Sequence, residues 1–301
     1  MYTLSGPAHD EATPLESSRV LTIAGTITEC PSPIVAGTGL LRFARVGSRT
    51  VVQQTFATSP LKMLNPRASD RAASVYTATY GGGLVGGDAI HLTVDVEPGA
   101  RAVLTTQSST KVYRSMRPAT QQVIARVGDG ALLVVGPDPI VCFAGSSLRQ
   151  VQRYDLHRGA SLVVVDWITS GRRAMGERWA FDSYEGRLEV RREDRTILYD
   201  SVRLTREDGP IVERMGRFNV CATVVVIGPL VAAPAATLIS EIANLPVTPR
   251  ADVVISAAPL HSDGVLMRMI GLSTEQISTV LRQHLRFLRS ELGGELWSRK
   301  W

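Results

Sequence analysis

Residues able to do metal or nucleophilic chemistry are few in this chain and widely scattered. Five His and three Cys are its whole stock of imidazole and thiol groups. Cys30, Cys142 and Cys221 are odd in number and far apart, so they write no disulfide framework and fit a reducing compartment. The sequence has no C-x-x-C pair, no H-E-x-x-H and no His-rich tract, which excludes the usual zinc sites and a metal-storage tail. Ser146 and Ser147 follow Gly145 without a G-x-S-x-G elbow, and no motif ties a His to them. Cys142, inside Ile140-Val141-Cys142-Phe143, reads as a small buried hydrophobe. His91, His157 and His284 each stand alone on strand or helix patterns and read as structural residues.

Two features have more to offer. Gly81-Gly82-Gly83-Leu84-Val85-Gly86-Gly87-Asp88 formally satisfies G-x-G-x-x-G. A dinucleotide site needs a helix after the glycines, with its N-terminus on the pyrophosphate, whereas Ala89 to Val96 alternates like a strand. The string therefore reads as a tight turn without side chains that lets two backbones approach; an enzyme using this loop for a nucleotide is the alternative reading. No G-x-x-x-x-G-K-[ST] is present, which argues against ATP or GTP hydrolysis by this chain. The second feature is a set of acids at turn ends: Asp88, Asp138 between two prolines, Asp166 and Glu177. On a common side they would hold a divalent cation briefly; singly, each reads as an Asx-type turn cap.

The elements that must position these groups are mainly β. Ile90, Leu92, Val94 and Val96 alternate with Ala89, His91, Thr93 and Asp95, the period of a half-buried strand. Pro98-Gly99-Ala100 then turns the chain into Arg101–Thr105. The phrase returns as Val123–Val127, Asp129-Gly130-Ala131 and Leu132–Val135, and again as Val151–Leu156, Arg158-Gly159-Ala160 and Leu162–Val165. A weaker copy runs through Gly186 into Leu188–Val190. The four glycines are 31, 29 and 27 residues apart. Such spacing predicts hairpins stacked into a β-solenoid-like ladder, since one hairpin cannot bury its apolar face alone. Helices are few. Ser273 with Gln276 begins one by a capping box, its stripe runs Ile277, Leu281, Leu285, Leu288, Leu292, and Gly293 ends it, giving about 273–292. A shorter helix is expected over about 235–244, before Pro246.

The 301 residues are 44% apolar and 20% charged, which excludes a disordered chain. Net charge is +5, its Arg residues spread out rather than clustered as a nucleic-acid binder would have them. Residues 1–18 read as a tail before one β-rich domain over 19–301; their acids and prolines fit neither signal nor transit peptide. Val220 to Ser240 lacks charge over a length that would span a bilayer, but Gly228, Pro229 and Pro234 divide it into a strand, a turn and a helix. A cytoplasmic protein is expected, and an adhesion or cell-wall solenoid is disfavoured by the missing signal peptide and the unpaired Cys.

Four ordered blocks carry a resemblance: Gly81–Asp88; Leu104-Thr105-Thr106-Gln107-Ser108-Ser109-Thr110-Lys111-Val112-Tyr113-Arg114; Gly136-Pro137-Asp138-Pro139-Ile140; and Gly171-Arg172 with Gly176-Glu177-Arg178-Trp179. Together they resemble the urease accessory protein UreD family, also called UreH, across about Thr77 to Leu204. Tyr80 stands where a Pro often precedes the glycines, and Gly136-Pro137-Asp138-Pro139 replaces a Pro-Gln-Glu-Thr-like string. The resemblance implies stacked β-strands and a non-enzymatic maturation factor without a tightly bound cofactor. It implies partners, UreF, the nickel-carrying GTPase UreG and apo-urease, in a complex that can be dimeric, with neither nucleic acid nor membrane involved. It also implies a water-filled passage for Ni2+. On that footing Asp88, Asp138 and Glu177 are candidate transient nickel contacts. Gly82, Gly83, Gly86, Gly87, Thr106, Lys111, Tyr113, Arg114, Arg172 and Arg178 are candidate partner-facing or framework residues.

Overall fold

The computed structural model describes residues 35–66, 71–261 and 263–297, so the tail expected over 1–18 and Cys30 lie outside the described residues. Seventeen strands occur among the described residues. The first seven are β1 (Thr38–Val46), β2 (Arg49–Ala57), β3 (Leu61–Leu64), β4 (Ala73–Thr79), β5 (Ala89–Val96), β6 (Arg101–Thr106) and β7 (Thr110–Val112). Then come β8 (Ala119–Val127), β9 (Leu132–Val135), β10 (Ile140–Cys142), β11 (Ser147–Leu156) and β12 (Ser161–Thr169). The last are β13 (Ser183–Arg192), β14 (Arg195–Thr205), β15 (Val220–Ile227), β16 (Val253–Leu260) and β17 (Gly264–Gly271). Helices are short: α1 (Ile211–Arg214), α2 (Ala232–Ala243), α3 (Thr274–His284) and α4 (Leu288–Leu292).

Two sheets face each other. One runs β14-β13-β11-β8-β5-β1-β2, the other β16-β17-β15-β12-β9-β6-β4-β3 with β10 and β7 branching from β12. The expected stack is therefore present, with one difference in how it is built. The two arms of each repeat do not pair with each other. Instead β5, β8 and β11 pair in parallel within the first sheet, and β6, β9 and β12 in parallel within the second. Each turn is an arch that carries the chain from one sheet to the other. Ala100, Ala131 and Ala160 donate their N–H to Glu97, Gly128 and His157, at 3.1, 3.1 and 3.0 Å, so the three arches are copies. They also bond to one another: Gly99 N–H to Asp129 O at 2.8 Å and Gly130 N–H to Gly159 O at 3.1 Å.

The apolar pattern explains this choice. β9 is buried at every position and β12 at all but one, because their sheet has neighbours on both faces, as parallel sheets require. Its inner face, with Leu104, Leu133 and Val164, meets Leu92, Val123 and Leu156 of the other sheet. Its outer face, with Val103, Val134 and Val165, is covered by Leu238 of α2, Leu281 of α3 and Leu288 of α4. The first sheet alternates buried and open positions because only one of its faces is covered.

Three local expectations change. Gly186 lies inside β13 rather than at a turn, and it is small because the Tyr184 hydroxyl lies 2.9 Å from where its Cβ would be. The helix expected over 273–292 is interrupted between His284 and Leu288, although its stripe still faces the sheet. Only half of its capping box forms: Ser273 accepts from Gln276 N–H at 3.3 Å, while the Gln276 amide donates to Asp252 at 2.9 Å. The uncharged stretch is β15, a turn and α2, as its punctuation implied, and no helix among the described residues is long and apolar enough to cross a membrane.

Candidate functional site

At the end of the sandwich away from the arches, the glycine string is used as a spacer. Tyr80–Gly82 forms a single 3-10 turn, and Gly81, Gly82 and Gly87 have φ of 82°, 71° and 89°. Leu84 donates its N–H to Lys111 O and accepts from Tyr113 N–H, both at 2.8 Å, so the loop zips onto β7. A Cβ on Gly83 would lie 2.5 Å from the Tyr113 ring, and one on Gly86 would lie 1.6 Å from Ser115 Oγ. Asp88 closes the loop, its carboxylate accepting from Val85 N–H at 2.9 Å. The chain then enters β5 directly, so there is no helix N-terminus to receive a phosphate. Gly83 and Gly86 are packed tightly against Lys111, Tyr113, Ser115 and Arg117, while Gly81 and Gly82 stand in open space.

The other motifs continue this layer. β10 lies beside β7, and Phe143 donates its N–H to Val112 O at 3.0 Å. The Phe143 ring meets Tyr113 edge to face at 5.1 Å, and the Arg172 guanidinium sits over it at 4.0 Å. Arg172 is gripped by Glu177 through a two-pronged ion pair, one arm at 3.0 Å, and Glu177 also accepts from Ala144 N–H at 3.2 Å. Arg172, first of all, holds the Glu177 carboxyl below the usual range. Arg178 donates to Asn219 Oδ1 at 2.7 Å and to the carbonyls of Gly216 and Phe218. Arg114 runs past Gly145, and Lys111 is exposed on β7. Beneath the layer lie Leu84, Val112, Cys142, Trp179 and Phe181. Burial pushes the Cys142 thiol up to about 12, which leaves it unreactive. The sequence motifs thus converge on one end of the molecule.

Below this layer the interior turns polar. A cavity of about 60 Å³ between the sheets is lined by Thr77, Thr106, Gln121, Gln150, Gln152 and Asp166, among apolar neighbours. That volume holds a few waters. Gln150 donates to Asp166 Oδ1 at 3.1 Å, and Tyr154 donates to Gln152 at 2.8 Å. Asp166, half-buried on β12, lines this space. Burial raises its carboxyl to about 6, against the smaller opposing effect of the Gln150 amide. A second space of about 100 Å³ shares the Thr77, Thr106, Thr110 and Gln121 walls and reaches Gly82 and Gln107–Ser109. A groove of about 580 Å³ against α3 shares Asp138 and Trp167 with the first space and Gln107–Ser109 with the second. Asp138 is set at this junction by its N–H, which donates to Thr106 Oγ1 at 2.8 Å.

Of the three candidate nickel contacts, only Asp138 lines the interior space; Asp88 caps a turn and Glu177 holds Arg172. Asp166, expected at a turn end, lies instead inside β12 and lines the space as well. Gln121, Gln150 and Gln152 were legible only as polar residues at inward positions of strands that otherwise bury Val, Leu and Ala there. Among the described residues no group of three or more His, Cys, Asp or Glu is spaced to hold a metal ion.

The family model "UreD urease accessory protein" matches residues 36–301, which takes in every strand of both sheets. This chain belongs to the UreD family. Its relatives include a urease accessory protein UreD of Sorangium cellulosum, 48% identical over 88% of this chain and 85% of that protein. A urease accessory protein UreD of an Anaeromyxobacter species is 44% identical over 88% and 89%. The plant relative, urease accessory protein D of Oryza sativa subsp. japonica, is 36% identical over 88% and 96%. These UreD-type relatives are named accessory proteins rather than enzymes.

Proposed function

We propose that this chain is a urease maturation factor that joins UreF- and UreG-type accessory proteins on apo-urease and lets nickel reach the urease active site. Membership of the UreD family across both sheets carries this reading. The character of the interior space supports it. Nickel binds imidazole and thiolate strongly, and a conduit built from them would trap its cargo. The interior offers hydroxyl, amide and carboxyl oxygens instead, with Asp138 and Asp166 as the charged stations. A carboxyl raised to about 6 is still largely ionised at pH 7, so Asp166 presents a negative charge to the space. The chain acts as scaffold and passage, without chemistry of its own and without a resident cofactor, in the reducing cytoplasm.

Removal of the gene from a urease-producing cell tests this. Urease protein should accumulate at its normal level, nickel-free and inactive, and return to activity when the chain is restored. Full urease activity without the chain would end the proposal.

A further inference from the structure

We propose that the exposed belt formed by the 111–117 segment, the glycine loop and the 172–176 turn is the docking face for an acidic, apolar-tipped segment of a partner protein. This deepens the maturation reading and rests on it. The belt is continuous: Gly86 lies against Ser115 and Arg117, Arg114 against Gly145, and Phe143 between Tyr113 and Arg172. Two kinds of group protrude from it. Val85, Met116 and Met175 are large apolar side chains left open, Met116 fully so. Lys111, Arg114 and Arg117 are exposed cations beside them, with no carboxylate within ion-pair distance among the described residues. The belt's own acids are spent, Asp88 on the Val85 N–H and Glu177 on Arg172.

Charge decides the occupant. Unspent cations around methionine tips match carboxylates flanking an apolar side chain, and Met and Arg are enriched where protein surfaces meet. The belt is also held rigid by its glycine packing, so little order is lost on docking. Nucleic acid would call for a row of aromatic faces on which bases stack, and of the large apolar groups protruding here only Tyr80 is aromatic, its ring already beneath Lys62 Nζ at 5.8 Å.

The test uses the full chain with the purified UreF homologue, UreG homologue and apo-urease of its own organism. R114E/R117E should weaken binding of one of these by roughly tenfold or more and flatten its salt dependence, with the melting temperature unchanged. R158E/R195E, at the arch end and the start of β14, should bind like the parent. Equal binding by R114E/R117E and the parent would overturn the docking face while leaving the maturation reading intact. A parent chain that binds none of the three would overturn both. Tight binding of a 30-base-pair DNA duplex, lost in R114E/R117E, would assign the belt to nucleic acid instead.

Discussion

At the residue scale the interior carboxyl of Asp166 has the clearest consequences. Its folded-state value, raised to about 6 from 3.8, means the folded protein holds this proton more tightly than the unfolded chain. The contribution to stability is therefore fully present below about pH 4, is lost as pH rises to about 6, and stays lost above. Asp166→Asn should remove that dependence and stabilise the fold at pH 7 by about 3 kcal/mol, read from denaturant unfolding across pH 4–8. Parallel stability curves for parent and variant would show that the carboxyl is not buried as described. Asp166 was among the acids singled out by type and place at a turn end. Its depth was not legible, because that depends on which sheet face the residue meets, and only the arches decide this. Asp88 and Glu177 looked equivalent to Asp138 in sequence; the structure separates them by what each carboxylate already accepts.

Among the elements, the arch and the glycine loop use the same residue for different reasons. Gly130 turns left-handed with open space around it, whereas Gly86 has no room for any side chain. Gly130→Ala should cost about 1–2 kcal/mol from backbone strain alone and leave partner binding unchanged. Gly86→Ala must push Ser115 and Arg117 outward, so it should weaken partner binding as well as stability. Denaturation and binding measured on both variants check this pair; indistinguishable variants would refute the spacer role of the loop. The repeat itself was legible from glycine spacing, since each turn recurs with an Ala that ends fully buried. Pairing was not, because the same alternating arms suit a hairpin or an arch until the continuous apolar runs of β9 and β12 are given a second covered face. The break between α3 and α4 left no mark either, as no Gly or Pro stands at 285–287.

For the whole molecule, scarcity of soft ligands and a polar seam through an apolar sandwich tell the same story. The sheets bury Leu, Val and Ala on both sides of a line of Thr, Gln and Asp, at a cost that packing alone does not repay. On the proposed function, a passing cation with its water would use that seam. Passage through the interior is the central claim, and nickel counted in urease tests it most directly. Cells lacking this chain would receive either the parent or Thr106→Leu/Gln121→Leu, which replaces two polar walls shared by both inner spaces and leaves Asp138, Gln150, Gln152 and Asp166 in place. The prediction is nickel-loaded urease with the parent and nickel-poor urease with the variant, although both chains assemble with their partners. Equal nickel content in the two preparations would contradict passage through this interior.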